Sequence, residues 1–131
     1  MIGDLINTTA RIESLTKYYG VLALATREVF EKVSQRPESR VIDRVIVKGK
    51  SVPLELIEVR HKFSPENFHE IATKYAEAFS FYEEGKFDAA ERVFRALAAF
   101  DKPSRVLAAR CAELCVHPPT DWRGAFAFAA K

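Results

Sequence analysis

Cysteine is scarce in these 131 residues: Cys111 and Cys115 are the only two, one turn apart in a helical pattern. A bridge between them would strain that helix, so they read as reduced thiols of a cytoplasmic protein. Glycine and proline are few, at 5 and 6. With 48% hydrophobic and 29% charged residues, the composition is that of a globular chain, not a disordered one. No apolar run approaches the ~20 residues that span a bilayer. The N-terminus lacks the cationic stretch followed by an apolar one that marks a secretory signal. A dominant charge is missing too. Residues 1–60 hold 10 Lys/Arg against 8 Asp/Glu, and residues 61–131 hold 10 against 10, for a net of +2. That balance leaves no footprint for nucleic acid. The length suits one domain, or a small unit with an appendage.

What is present is periodic. In "LINTTARIESLTK" (5–17), Leu5, Ile12 and Leu15 share one face and Asn7 and Arg11 another, which predicts a short helix stopped at Gly20. "VLALA" (21–25) is bounded like a short buried strand. Thr26 is placed to cap a helix over "REVFEKVSQ", lined by Val29, Phe30 and Val33 and ended by Pro37. Between residues 40 and 60, two β-branched runs flank "KGKS", and Gly49 can take a positive φ. This predicts a hairpin turning near residues 48–51. Pro53 belongs near a strand start or on an edge, where its missing N–H does no harm.

From "SPENFHE" onward the pattern is helical. Ser64, Pro65 at the first helical position and Asn67 open a stretch that reaches about residue 115. Its first stripe is Phe68, Ile71, Tyr75, Ala78 or Phe79, and Tyr82. The second is Phe87, Ala90, Phe94 and Leu97, and the third is Val106, Leu107, Cys111 and Leu114, with Gly85 and Pro103 as separators. Ala78, Gly85, Ala90 and Phe94 fit the tetratricopeptide spacing across one helix pair. Pro118 and Pro119 end the third helix, leaving "DWRGAFAFAAK" as an extended or loosely helical tail. The expected fold class is α+β: a mixed unit over residues 1–62, then a helical region over 63–131.

Among candidate chemical groups, Asn7 and Arg11 converge at their four-residue helical spacing. An amide beside a planar cation suits a substrate with a hydroxyl to orient and a phosphate to grip. The competing reading is a solvated helix face, since the spacing alone is a weak motif. His61, His69 and His117 are too scattered for a metal site. Cys111 and Cys115 lack a nearby pair to complete four zinc ligands, so helix packing is the simpler role. Phe79, Tyr82, Phe87 and Phe94 read as core.

Three separated segments carry a resemblance. "IGDLINTTARIESLTKYYG", "GVLALATREVFEKV" and "VIDRVIVKGKSVPLELIEV" resemble, in order, the closing part of the class III adenylate and guanylate cyclase catalytic domain. The helical region and "PPTDWRGAFAFAAK" resemble the tetratricopeptide-like tail that follows this domain in many bacterial members. The resemblance implies the last third of a ferredoxin-like cyclase fold. It implies a phosphorus–oxygen lyase that converts ATP or GTP to a 3′,5′-cyclic nucleotide and pyrophosphate at a site between two catalytic domains. By position, Asn7 would orient the ribose and Arg11 would stabilise the transition state at the α-phosphorus. Lys48 would contact the terminal phosphates, with Lys50 as its alternative, and Asp4 would hold the loop.

The family's two metal-binding aspartates have no counterpart in residues 1–131. Mg²⁺ or Mn²⁺ is therefore expected only with a dimer partner, homologous or not, that supplies them. A lone copy is expected to be inactive. Without further strands the hairpin would leave an open edge and an apolar face, to be covered by the helical tail or by a partner chain. The alternative expectation is a non-catalytic module whose helices bind a protein partner.

Overall fold

The computed structural model describes residues 14–46 and 52–127. Within them, residues 14–19 are helical (α1). There follow β1 (Leu24–Thr26), α2 (Arg27–Phe30), β2 (Ser39–Ile46), β3 (Leu54–Val59), α3 (Phe68–Glu83), α4 (Phe87–Leu97), α5 (Lys102–Val116) and β4 (Phe126–Ala127). The fold is α+β.

The two β-branched runs pair as the expected antiparallel hairpin, with Arg40 opposite Glu58 and Val45 opposite Leu54. Pro53 immediately precedes β3, where its missing N–H is harmless. β1 adds antiparallel to β3 and β4 adds parallel to β2, giving the order β1-β3-β2-β4. The parallel partner comes from the C-terminal tail, which the sequence pattern left between extended and helical.

β2 does not alternate strictly. Val41 faces Ile57 and the next pair is Asp43 with Leu56, so Ile42 is an extra residue in a bulge. In a regular strand, positions 40 and 43 would point to opposite faces. The bulge puts Arg40 and Asp43 on the same side, against the helices.

The long stripes match the sequence reading. Phe68, Ile71, Tyr75, Ala78, Phe79 and Tyr82 are buried on α3, and Phe87, Ala90, Phe94 and Leu97 on α4. Gly85, at φ +82°, turns the chain between them. One continuous core joins the residues from Tyr75 onward to Leu15 and Tyr19 of α1, to Ile42, Val45 and Leu56 of the sheet, and to Leu107 and Cys111 of α5. The helical region thus covers the apolar face of the hairpin. Each large side chain sealed there contributes about 1.5–3 kcal/mol.

Other boundaries differ from expectation. Thr26 caps α2 as read, its Oγ1 accepting the Val29 N–H at 3.3 Å. Yet α2 stops after four residues, with Val29 54% and Val33 43% exposed. Phe30 is the one buried residue of α2, and beyond it the N–H groups of Lys32 and Val33 turn back three residues instead of four. α3 begins at Phe68 rather than Pro65; Asn67 is its cap residue, and the Ser64 hydroxyl instead accepts the His61 N–H at 3.0 Å. Pro103 lies inside the first turn of α5 and not ahead of it. Asp101 is the cap, accepting the Ser104 N–H at 3.2 Å, and a proline so early in the helix loses no bond.

Candidate functional site

Two buried ionic clusters dominate the junction of sheet and helices, and the bulge in β2 creates both. In the first, Asp43 is fully sealed from solvent. Its Oδ2 accepts from Arg110 Nη1 at 2.6 Å and from the Tyr19 hydroxyl, while Oδ1 accepts the Arg44 N–H at 2.8 Å. Arg110 also donates to the Tyr82 hydroxyl at 3.1 Å and to the Tyr18 hydroxyl at 3.4 Å. The Phe126 ring of β4 lies over the guanidinium, 3.9 Å from its carbon. The Asp43 carboxylate and the Arg110 guanidinium together therefore tie α1, β2, α3 and α5 to one another.

In the second cluster, Arg40 donates to Glu58 at 2.7 Å and forks onto both oxygens of Asp101 at 2.7 and 3.0 Å. The Tyr75 ring sits 4.7 Å from its guanidinium carbon. α5 thus docks through opposite charges at its two halves, an acid reaching Arg40 and a base reaching Asp43.

Buried ionisable groups often mark active sites. Here the chemistry argues otherwise. Burial, reinforced by Asp43, pushes the Tyr19 phenol far above its ordinary range, and burial does the same to Tyr82 and Tyr75. For Arg110, burial opposes the charge, but Asp43 together with the surrounding Tyr82, Tyr19 and Tyr18 hydroxyls more than offsets it and the guanidinium stays protonated. Neither the phenols nor the Arg110 guanidinium gives up a proton near neutral pH. These are docking groups.

Asn7, Arg11 and Lys48, the residues expected to carry chemistry, lie outside the described residues, as do Asp4 and Lys50. The described residues show what flanks them. The end of α1 is anchored through Tyr19 to Asp43 and closed at Gly20, whose N–H returns to the Thr16 carbonyl at 2.9 Å. Beside the 47–51 connection, α2 and the end of the hairpin enclose a cleft of about 710 Å³. Its two arginines are both committed: Arg27 Nε and Arg44 Nη2 bind Glu55 at 2.7 and 3.0 Å, and Arg44 also reaches Glu83 at 3.2 Å. Despite partial burial, these arginines hold the Glu55 carboxyl below its usual range. A polyanion in this cleft would have to compete with Glu55 for both cations.

Among the described residues no three acids, histidines or cysteines gather as a metal site, so no metal is assigned to them. Cys111 is buried and Cys115 exposed, both as free thiols. No described helix is long and apolar enough to cross a membrane. The sequence reading did not single out Arg40, Asp43, Asp101 or Arg110. The available signal was a lone acid inside the β-branched run "VIDRVIV".

No family model matches the chain. Nor does any solved structure. Among curated proteins, an adenylate cyclase of Anabaena cylindrica is 44% identical over 64 residues, covering 46% of this chain. The chain spans 12% of the length of that relative. It contains a cyclase-related region.

Proposed function

We propose that this chain is a truncated or split class III nucleotidyl cyclase, supplying the transition-state half of a site that forms a 3′,5′-cyclic nucleotide and pyrophosphate from ATP or GTP. The observation that carries the reading is the 44% identity over 64 residues to an adenylate cyclase. The helix–strand–helix–hairpin order of residues 14–59 is compatible with it. In this reading residues 1–62 are the cyclase part and residues 63–131 its tetratricopeptide-like helical region.

Asn7 orients the ribose of the bound nucleotide. Arg11 offers its fork to the charge that develops on the α-phosphoryl oxygens, an interaction strongest in the transition state. Lys48 holds the terminal phosphates as a point charge. The partner's aspartates would bind the Mg²⁺ or Mn²⁺ that activates the 3′-hydroxyl. No step is assigned to a metal on the described residues, which offer no ligand cluster.

The test is an assay of purified protein with Mn²⁺ and ATP or GTP, alone and mixed with a cyclase domain whose own arginine equivalent is disabled. The expected result is no product alone, product in the mixture, and loss of that product on Arg11→Ala. An inert mixture would overturn the reading.

A second reading, a non-catalytic interaction module, is favoured by how completely the two buried clusters use the charges at the junction. Its surface would have to be other than the helix stripes, which are buried in the shared core.

A further inference from the structure

Three connections meet where β2 begins and β3 ends: α1 to β1, β3 to α3, and α4 to α5. Each turns a large apolar side chain to solvent. Leu22 is 75% exposed, Phe63 73% and Phe100 61%. Exposed hydrophobic residues scattered singly need no explanation. These three line one depression of about 260 Å³, floored by Phe68 and Ile71. Three exposed apolar side chains around one depression make it a candidate contact surface.

The tips are held outward by local bonds. Phe63 sits in a turn closed from the Ser64 N–H to the His61 carbonyl at 2.9 Å, and its own N–H reaches His61 Nδ1 at 3.1 Å. The Phe100 N–H bonds the Leu97 carbonyl at 3.2 Å, and the Val21 N–H, just before Leu22, bonds the Thr16 carbonyl at 3.1 Å. A surface ordered in advance loses less entropy on binding.

Charge narrows the occupant. The carboxylates lining the depression, Glu58 and Asp101, are buried and bound to Arg40. The exposed charge in the lining is Lys102, and Lys62 stands beside it on the Phe63 ring. Lys62 lies 5.1 Å from the centre of the Phe63 ring. The Lys102 stem runs over Gly20, close enough that a Cβ there would come within 2.5 Å of it. Neither lysine has an ion pair among the described residues. A second copy docked two-fold on this face would gather the lysines of both copies in one interface. A lipid surface is served by about 4–8 basic residues, not by two lysines.

We propose that this depression docks an amphipathic helix of a partner protein, an apolar side chain seated between Leu22, Phe63 and Phe100 and acidic residues facing Lys62 and Lys102. This is the helix-in-groove mode, with affinity from the apolar anchor and selectivity from the flanking charge.

Two labelled helical peptides of equal length, each with leucines at i, i+4 and i+7, test it by fluorescence anisotropy on the full chain. One carries glutamates beside the leucines and the other lysines. The glutamate peptide is expected to bind at least about tenfold more tightly, a 1.4 kcal/mol preference. Phe63→Ser and Phe100→Ser should each weaken it about tenfold or more, while circular dichroism confirms an unchanged fold. Lys62→Glu with Lys102→Glu should reverse the preference between the peptides. The proposal is overturned by equal binding of the two peptides, by binding of neither, or by binding indifferent to Phe63→Ser. It is also overturned if the chain ignores both peptides yet binds phosphatidylserine vesicles, or forms a dimer that Leu22→Ser dissolves.

Discussion

Arg110 Nη1 stands 2.6 Å from Asp43 Oδ2, joining α5 to β2 across 67 positions of sequence with both side chains sealed from water. Taking two charges out of water costs about as much as their attraction returns, but removing one partner strands the other. Arg110→Met or Asp43→Leu alone should destabilise the fold by about 3–5 kcal/mol, and the double variant should recover much of that loss. Urea unfolding of the four proteins, read as a double-mutant cycle, checks it. Additive losses would show that the pair does not act as a unit.

Alkali should attack the same junction. Tyr19, Tyr75 and Tyr82 have folded-state pKa values raised by burial. The unfolded phenols titrate first, near ~10. Stability from these groups is therefore intact below that pH and falls as pH climbs above it. Phenolate absorbance for the three should rise only together with loss of the circular dichroism signal. Ionisation of all four tyrosines in a still-folded chain would contradict the buried network.

Acid should act through a different pair of contacts. Glu55 is lowered by Arg44 and Arg27 against partial burial, and Glu38 by its bonds to His69 and Arg60. A depressed folded-state value contributes stability above the unfolded pKa, near ~4.3 for glutamate, and loses it as pH falls further. Glu55→Gln should flatten the fall in melting temperature below that pH. An unchanged slope would mean that the arginines do not hold the carboxylate in solution.

Gly20 ends α1 at φ +72°, and a Cβ there would come within 2.5 Å of Lys102 Cδ. Gly20→Ala should cost about 1–2 kcal/mol from the left-handed backbone alone. Pairing it with Lys102→Gly should relieve the contact and leave the backbone part. Thermal melts separate the two contributions, and a neutral Gly20→Ala would show that the turn is not held as described.

The thiols should separate in reactivity. Cys111 is buried in the core and its pKa is pushed up to about 12 by that burial, whereas Cys115 faces solvent. Because the thiolate is the reactive species, a thiol reagent should label Cys115 in the folded protein and Cys111 only on unfolding. Mass spectrometry of the labelled peptides decides it.

The stripes of α3 and α4, the cap at Thr26 and the pairing of the two β-branched runs were legible in the sequence. Each depends on residues a few positions apart, where helical or strand geometry sets the neighbour. Asn7, Arg11 and Lys48 were legible as letters in a family pattern, and their chemistry rests on the proposal above. Tertiary structure alone decided that α2 ends at Phe30 and that the Phe126–Ala127 tail becomes a parallel strand. It also decided that Arg40 and Asp43 share a side. That last outcome needs one extra residue in β2 and two partners on α5, and no local periodicity records a contact made across 67 positions. Local order follows from the spacing of apolar residues, but a bulge and a buried ion pair form only when distant segments supply what the strand lacks.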